Sequence, residues 1–276
     1  MRHGRGLKRR AVLLGLTLLL CVCWLPGCGG RGAQEWLEAC ARAVEEHSRC
    51  GGYLRFFQES DTSLALEAGT LQYRMRVQGE IVLPDHERYE YREELESSTR
   101  PGEVESNSFS YLTVEGGKTA FVTGKGLEEK LGVRGWIHYT PPAGQSRYFD
   151  YPRMIGLVTA MGRNPELLDH QELEGARCAH LAVTLEGREM VESILREDPT
   201  LSQKLQNMDL GSLVGDVRLE IWIEEKSGLP LQLYLERDTE WGEGLRNTGT
   251  LKFRFRDYLR ESPVRIEAPQ SFTEAG

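Results

Sequence analysis

Six histidines and six cysteines are the side chains of this 276-residue chain best suited to hold a metal or to attack a carbonyl, and their spacing sets up neither reaction. Zinc hydrolysis calls for clustered ligands, such as two histidines one helical turn apart. His47, His86, His138, His170 and His180 include no pair at i, i+3 or i, i+4, and no HExxH occurs. No GxSxG elbow marks a nucleophilic serine either. Gly124-Lys125-Gly126 lacks the upstream glycine spacing and the Lys-Ser/Thr ending of a phosphate loop, so it reads as a turn. Glu93 and Glu94, Glu128 and Glu129, and Glu224 and Glu225 are adjacent carboxylates. Neighbours on a strand point to opposite faces, so these pairs read as solvated surface charge and not as general acid and base. The expectation is a protein that is not an enzyme and uses no cofactor or metal.

The residue whose setting does specify chemistry is Cys28. Arg2, Arg5, Lys8, Arg9 and Arg10 form a basic leader, followed by an apolar run of fifteen residues from Ala11 to Leu25. As a helix that run spans about 22 Å at 1.5 Å per residue, short of the roughly 30 Å hydrocarbon core, which argues for an export signal over a permanent span. Leu25-Pro26-Gly27-Cys28 resembles the bacterial lipobox, with Pro26 where Ala or Ser is usual. The resemblance implies acylation of Cys28, palmitate included, after cleavage before it. Two or more acyl chains make a stable anchor where one is marginal. The alternative is an ordinary secretory leader cut at a nearby small residue. Residues 1–27 therefore read as a lipoprotein signal peptide, 28–35 as a lipidated tether and 36–276 as one domain on the extracytoplasmic face of the membrane. Gly29 to Gln34 reach at most about 20 Å when extended, which keeps that domain near the bilayer.

Charge and thiols narrow the partners. The whole chain is formally −8, but the leader holds five of the 34 basic residues and none of the 42 acidic ones, so the remainder has 29 against 42, or −13. Such a domain repels phosphate backbones and anionic lipid surfaces, which excludes nucleic acid and leaves the lipid anchor to hold the membrane. Beyond Cys21, Cys23 and Cys28, the thiols are Cys40, Cys50 and Cys178. A straight helix would hold Cys40 and Cys50 about 15 Å apart, beyond the roughly 7 Å reach of a disulfide. Either the helix stops early, or one of them meets Cys178, or all three stay reduced.

The elements that must carry these residues follow from periodicity. Trp36, Leu37, Cys40, Ala41 and Val44 predict an amphipathic helix ending near Ser48, before Gly51-Gly52. Leu71, Tyr73, Met75, Val77, Ile81 and Leu83 alternate with polar residues and predict a long strand. Shorter strands are expected at 88–96, 108–114, 119–123, 136–139 and 178–185. Asp150 can cap a helix carrying Met154, Leu157, Val158 and Met161, and further helices are expected at 188–198 and around Leu201, Leu205 and Met208. Val217 to Ile223, Leu229 to Leu235 and Leu251 to Phe255 predict a three-stranded meander, with Pro230 at a strand start. Solvated alternation argues for an antiparallel sheet. Such a sheet hides its apolar face most economically by curving around the helices, which makes the fold class α+β with an incomplete, half-open antiparallel barrel wrapped around a few helices.

The segments CAHLAVTLEGREM, LEIWIEEKSGLPLQLYLE and TGTLKFRFRDYLRESPVRIEAP, together with the lipobox and the leading helix, resemble the LolA/LppX-like bacterial lipoproteins. The resemblance implies that half-open barrel, and it implies a protein that carries or senses lipids or lipoproteins in the cell envelope. It brings no catalytic residues. From the residues themselves, Tyr73, Met75, Leu219, Ile221, Leu233 and Phe253 on strands and Met154, Leu157, Val158 and Met161 on a helix are the candidate walls of a ligand cavity. Met190 and Met208 would add flexible walls. The alternative for any one of them is plain core packing, because apolar periodicity does not distinguish a filled interior from a hollow one. The expected function is binding or transfer of a lipid or glycolipid. Its alternative is an envelope sensor that binds a protein partner through an exposed patch including Trp222, Tyr234 and Trp241.

Overall fold

The Trp36, Leu37, Cys40, Val44 and His47 side chains recur one helical turn or so apart, and all five are buried along one stripe of helix α1 (Ala33–Arg49). Its outer side carries the i, i+4 pairs Glu38–Arg42 and Glu45–Arg49, both solvent-exposed and worth only a few tenths of a kcal/mol each. The computed structural model describes residues 31–66, 69–83, 86–97, 102–115, 118–140, 150–189, 192, 215–241 and 245–274. The leader, Cys28 and the helix expected around Leu201, Leu205 and Met208 lie outside these residues, and of the helix expected at 188–198 only residues 188, 189 and 192 are described, all three helical. Ala33–Gly276 forms one compact unit. No helix among the described residues is long and apolar enough to cross a membrane.

After α1 come β1 (Tyr53–Leu66), β2 (Gly69–Val82), β3 (His86–Ser97), β4 (Val104–Val114) and β5 (Thr119–Thr123). Helix α2 (Lys125–Leu131), β6 (Ile137–Tyr139), helix α3 (Tyr151–Met161), β7 (Gly162–Leu173) and β8 (Ala176–Leu185) follow. The chain closes with β9 (Val217–Glu224), β10 (Pro230–Trp241), β11 (Leu245–Leu259) and β12 (Thr273–Glu274). All twelve join one sheet in the order β12-β6-β5-β4-β3-β2-β1-β11-β10-β9-β8-β7. Neighbours are antiparallel throughout, except for the two-residue parallel pairing of β12 with β6. The sheet ends in two edges and does not close on itself, so the barrel is half open.

Its inner face takes the helices. Buried side chains of α1 and α3 join Leu54, Phe56, Leu181, Ile221, Leu233 and Phe255 in one continuous core. A smaller cluster of Leu112, Val114, Phe121 and Ile266 holds the C-terminal tail against the opposite face. Gly79 lets the neighbouring side chains close over the strand: a Cβ there would lie 2.5 Å from the Phe56 ring and 2.7 Å from the Arg88 carbonyl oxygen. Gly228 (φ 75°) turns β9 into β10, and its N–H donates to the Glu224 carbonyl at 2.8 Å.

The structure departs from the expected elements at three places and decides between the alternatives for the cysteines. Gly124-Lys125-Gly126 is not a simple turn but the entry to α2. The strand β7 was not expected, and the meander strand β10 runs on to Trp241. Cys40, Cys50 and Cys178 are unbridged: α1 runs unbroken to Arg49, Cys40 and Cys178 are buried, and Cys50 is exposed. Burial pushes the Cys40 thiol well up and that of Cys178 to about 11, so neither is a reactive thiolate at neutral pH.

Candidate ligand-binding hollow

Helix α3 begins where Asp150 accepts a hydrogen bond from the Arg153 backbone N–H at 3.1 Å, with Pro152 in the first turn. Tyr151, Ile155 and Val158 are buried against the sheet. The Tyr151 hydroxyl reaches that of Tyr258 at 2.9 Å, and Tyr258 donates to the Pro230 carbonyl at 2.5 Å, which ties the start of α3 to β10 and β11. Burial holds both phenols far above their ordinary titration range, so the pair stays neutral.

With that stripe fixed, the neighbouring stripe of Met154, Leu157 and Met161 faces sideways and is only half-buried. Together with Val158 it forms one wall of an apolar hollow of about 220 Å³. The other wall is sheet: Leu185, Leu219, Leu233, Leu235, Leu251 and Phe253. Strand register brings these together, because Leu235 pairs with both Leu219 and Leu251, and Leu233 pairs with Phe253. All ten lining residues are apolar. The volume exceeds the roughly 150 Å³ of a dry apolar cavity that admits benzene and falls below the roughly 300 Å³ at which pockets for drug-sized ligands begin. It therefore suits a segment of one hydrocarbon tail and not an entire lipid.

Seven of the ten candidates read from the sequence meet around this hollow: Met154, Leu157, Val158, Met161, Leu219, Leu233 and Phe253. Three do not. Ile221 is fully buried in the solid core, while Tyr73 and Met75 sit on β2 farther along the inner face. Leu185, Leu235 and Leu251 complete the lining without having been singled out; their place depends on cross-strand register, which the alternation alone does not specify.

Beyond the hollow the same face turns polar. The Tyr91 hydroxyl donates to Glu93 Oε2 at 2.7 Å and the Tyr73 hydroxyl to the same oxygen at 3.1 Å, while the two hydroxyls touch each other. Asn107 Nδ2 donates to Glu93 Oε1 at 3.2 Å. Burial, reinforced by the bonds to Tyr73 and Glu93, pushes the Tyr91 hydroxyl far up, and burial raises that of Tyr73 as well. Glu93 is thus no solvated surface charge. It is half-buried on the inner face, whereas Glu94, pointing the other way, is exposed as expected.

Elsewhere the structure offers little chemistry. Among the described residues no group of three or more His, Cys, Asp or Glu side chains is placed to hold a metal ion. His180 lies between Asp169 (3.2 Å) and Glu220 (3.1 Å) and stacks on Trp222 with ring centroids 4.1 Å apart. That stacking leaves Trp222 buried, and Tyr234 is half-buried, so these two form no exposed aromatic patch. The side chain of Trp241 lies outside the described residues. Val104, Leu259 and Phe272 are the exposed large apolar side chains among the described residues.

No known family description matches the chain, and no curated protein matches it. Among solved structures, it is similar to LprF from Mycobacterium bovis at 14% identity and a TM-score of 0.43, over 87% of this chain and 99% of that one. The lipoprotein LppX from Mycobacterium tuberculosis follows at 10% identity and a TM-score of 0.40, over 85% and 98%. A chain of the Pseudomonas aeruginosa MucA/MucB complex stands at 15% identity and a TM-score of 0.28, over 81% of this chain and 56% of that one. In its own geometry the chain is an open, almost wholly antiparallel sheet whose apolar face is covered by helices.

Proposed function

We propose that this chain is an extracytoplasmic lipoprotein, anchored through Cys28, that binds or transfers a lipid by housing an acyl tail between α3 and strands β8 to β11. The single observation carrying this reading is the all-apolar hollow of about 220 Å³. A space too large to be a packing defect and lined by ten apolar residues has no polar group to order water, so hydrocarbon is its natural occupant.

The energetics suit exchange. A methylene is of the order of a water molecule in size, so at about 30 Å³ each the hollow takes about seven of them. At about 0.8 kcal/mol per methylene that is roughly 6 kcal/mol, a gain comparable to what the bilayer gives the same segment. Loading and unloading then turn on small differences, and a short tether ahead of α1 keeps the domain near the membrane.

The test is mass spectrometry of solvent extracts from full-length protein released from membranes and purified without added lipid. Stoichiometric acyl lipid beyond the Cys28 anchor supports the reading. Protein that carries none, and that takes up none from vesicles, removes it.

A further inference from the structure

From the hollow, a half-buried row of the sheet's inner face runs across the strands and changes polarity once. Strand register sets Leu235, Leu251, Ser60, Met75, Glu93 and Asn107 side by side across β10, β11, β1, β2, β3 and β4. All six are half-buried, in contrast to the buried row beside them that includes Phe253, Gln58, Val77 and Tyr91. The half-buried row is therefore apolar at its Leu235–Leu251 end, passes Ser60 and Met75, and ends at the Tyr73–Tyr91–Glu93–Asn107 cluster. Three strand spacings of about 4.8 Å separate Leu251 from Glu93, about 14 Å. A single long acyl chain, with about seven methylenes in the hollow, covers that distance.

The hydrogen-bonding sense of the far end is one-sided. Tyr73 and Tyr91 carry one hydroxyl proton each, and both protons are committed inside the cluster to Glu93 or to the neighbouring hydroxyl, so what their oxygens present to a guest is lone pairs. Both phenols remain protonated because burial opposes ionisation. A head group seated there must bring donors. Phosphate and carboxylate, which offer acceptors alone, face lone pair against lone pair.

Resting on the proposed acyl-binding role of the hollow, the geometry points to a polar-head subsite at Tyr73, Tyr91, Glu93 and Asn107 that selects lipids with donor-bearing heads, a polyol or an ammonium, over lipids with anionic phosphate heads. It is a specificity device separate from the hollow: tail burial supplies affinity, and the tyrosine oxygens choose the head.

The experiment compares three ligands sharing an oleyl tail on the full-length protein: monoolein, oleylamine and oleoyl lysophosphatidic acid. Each is titrated below its aggregation threshold against a bound pyrene-labelled fatty acid, in parent, Tyr73→Phe and Leu157→Trp proteins. Monoolein or oleylamine should displace the probe at concentrations at least about tenfold lower than the lysophosphatidic acid, and Tyr73→Phe should shrink that margin to about twofold. Preference for monoolein alone names a polyol head, and preference for oleylamine alone an ammonium. Equal or tighter binding of the phosphate, for example through nearby Arg237, which donates to Thr62 at 3.4 Å, overturns the subsite. So does a margin that survives Tyr73→Phe. If Leu157→Trp weakens all three while the heads bind alike, the subsite falls and the acyl-binding role stands. If none binds, both fall.

Discussion

Replacing Leu157 by tryptophan turns the hollow's own wall into its occupant. Leu157 belongs to the half-buried stripe of α3 and not to the Tyr151, Ile155 and Val158 stripe that fastens the helix, so the indole projects into free space. Stability should change by less than about 1 kcal/mol, since helix propensity differs little between the two residues and no packed neighbour is displaced. Ligand binding should suffer more. The indole exceeds the leucine side chain it replaces by about two methylenes' worth of volume, and losing them at about 0.8 kcal/mol each removes about 1.6 kcal/mol. That is somewhat more than tenfold in Kd at about 1.4 kcal/mol per decade. Displacement of a pyrene-labelled fatty acid measures the affinity, and thermal melting of the same samples reports the fold. Ile221→Trp is the control, because a fully buried core position should instead lose about 1–3 kcal/mol of stability. A Leu157→Trp protein that melts like the parent and binds the probe within threefold of it would refute the assignment of the hollow as the tail site.

Gly79→Ala drives a methyl group onto the Phe56 ring and a backbone carbonyl that has no room to yield, so the midpoint of denaturant unfolding should fall by the equivalent of about 1–3 kcal/mol. Asp150→Ala removes the cap of α3; calorimetry should show a loss of about 1 kcal/mol, or about 2–4 °C in Tm. His47 is buried and donates through Nε2 to the Leu259 carbonyl at 3.0 Å, and burial holds its pKa below the ordinary 6.5 despite that bond. The unfolded chain therefore binds the proton more readily. Stability should be complete above about pH 6.5 and decline as the pH falls from there toward the lowered native value. His47→Gln should remove that part of the slope, as read from unfolding midpoints between pH 7 and pH 5; an identical slope in both proteins would exclude it.

Much of this architecture is written in periodicity. The α1 stripe, the cap and two apolar stripes of α3 and the β9 to β11 meander each repeat at one spacing for three turns or more, or for a full strand. Their burial follows directly, with Pro230 at the start of β10 as its missing N–H requires. Strand β7 escaped because its pattern is broken: register shifts between Arg163 and Glu166 and between Leu167 and Asp169 interrupt the alternation, and Asn164 takes a positive φ. Helix α2 has seven residues and no apolar repeat long enough to see. Seven cavity residues were legible because a helical stripe and strand alternation point inward wherever the partner elements lie. Glu93 was misread for the complementary reason. A charged residue reads as solvated unless its cross-strand neighbours are known, and the tyrosine that bonds it from β2 lies twenty residues away in sequence.

Photo-crosslinking with a diazirine-bearing acyl chain, loaded into the full-length protein from vesicles and mapped by peptide mass spectrometry, tests the placement of the tail most directly. Label is expected on α3 between Tyr151 and Met161 and on the inner-facing leucines and Phe253 of β10 and β11. Label confined to outward-facing positions such as Arg76 and Arg92, with α3 unmodified, would contradict the account.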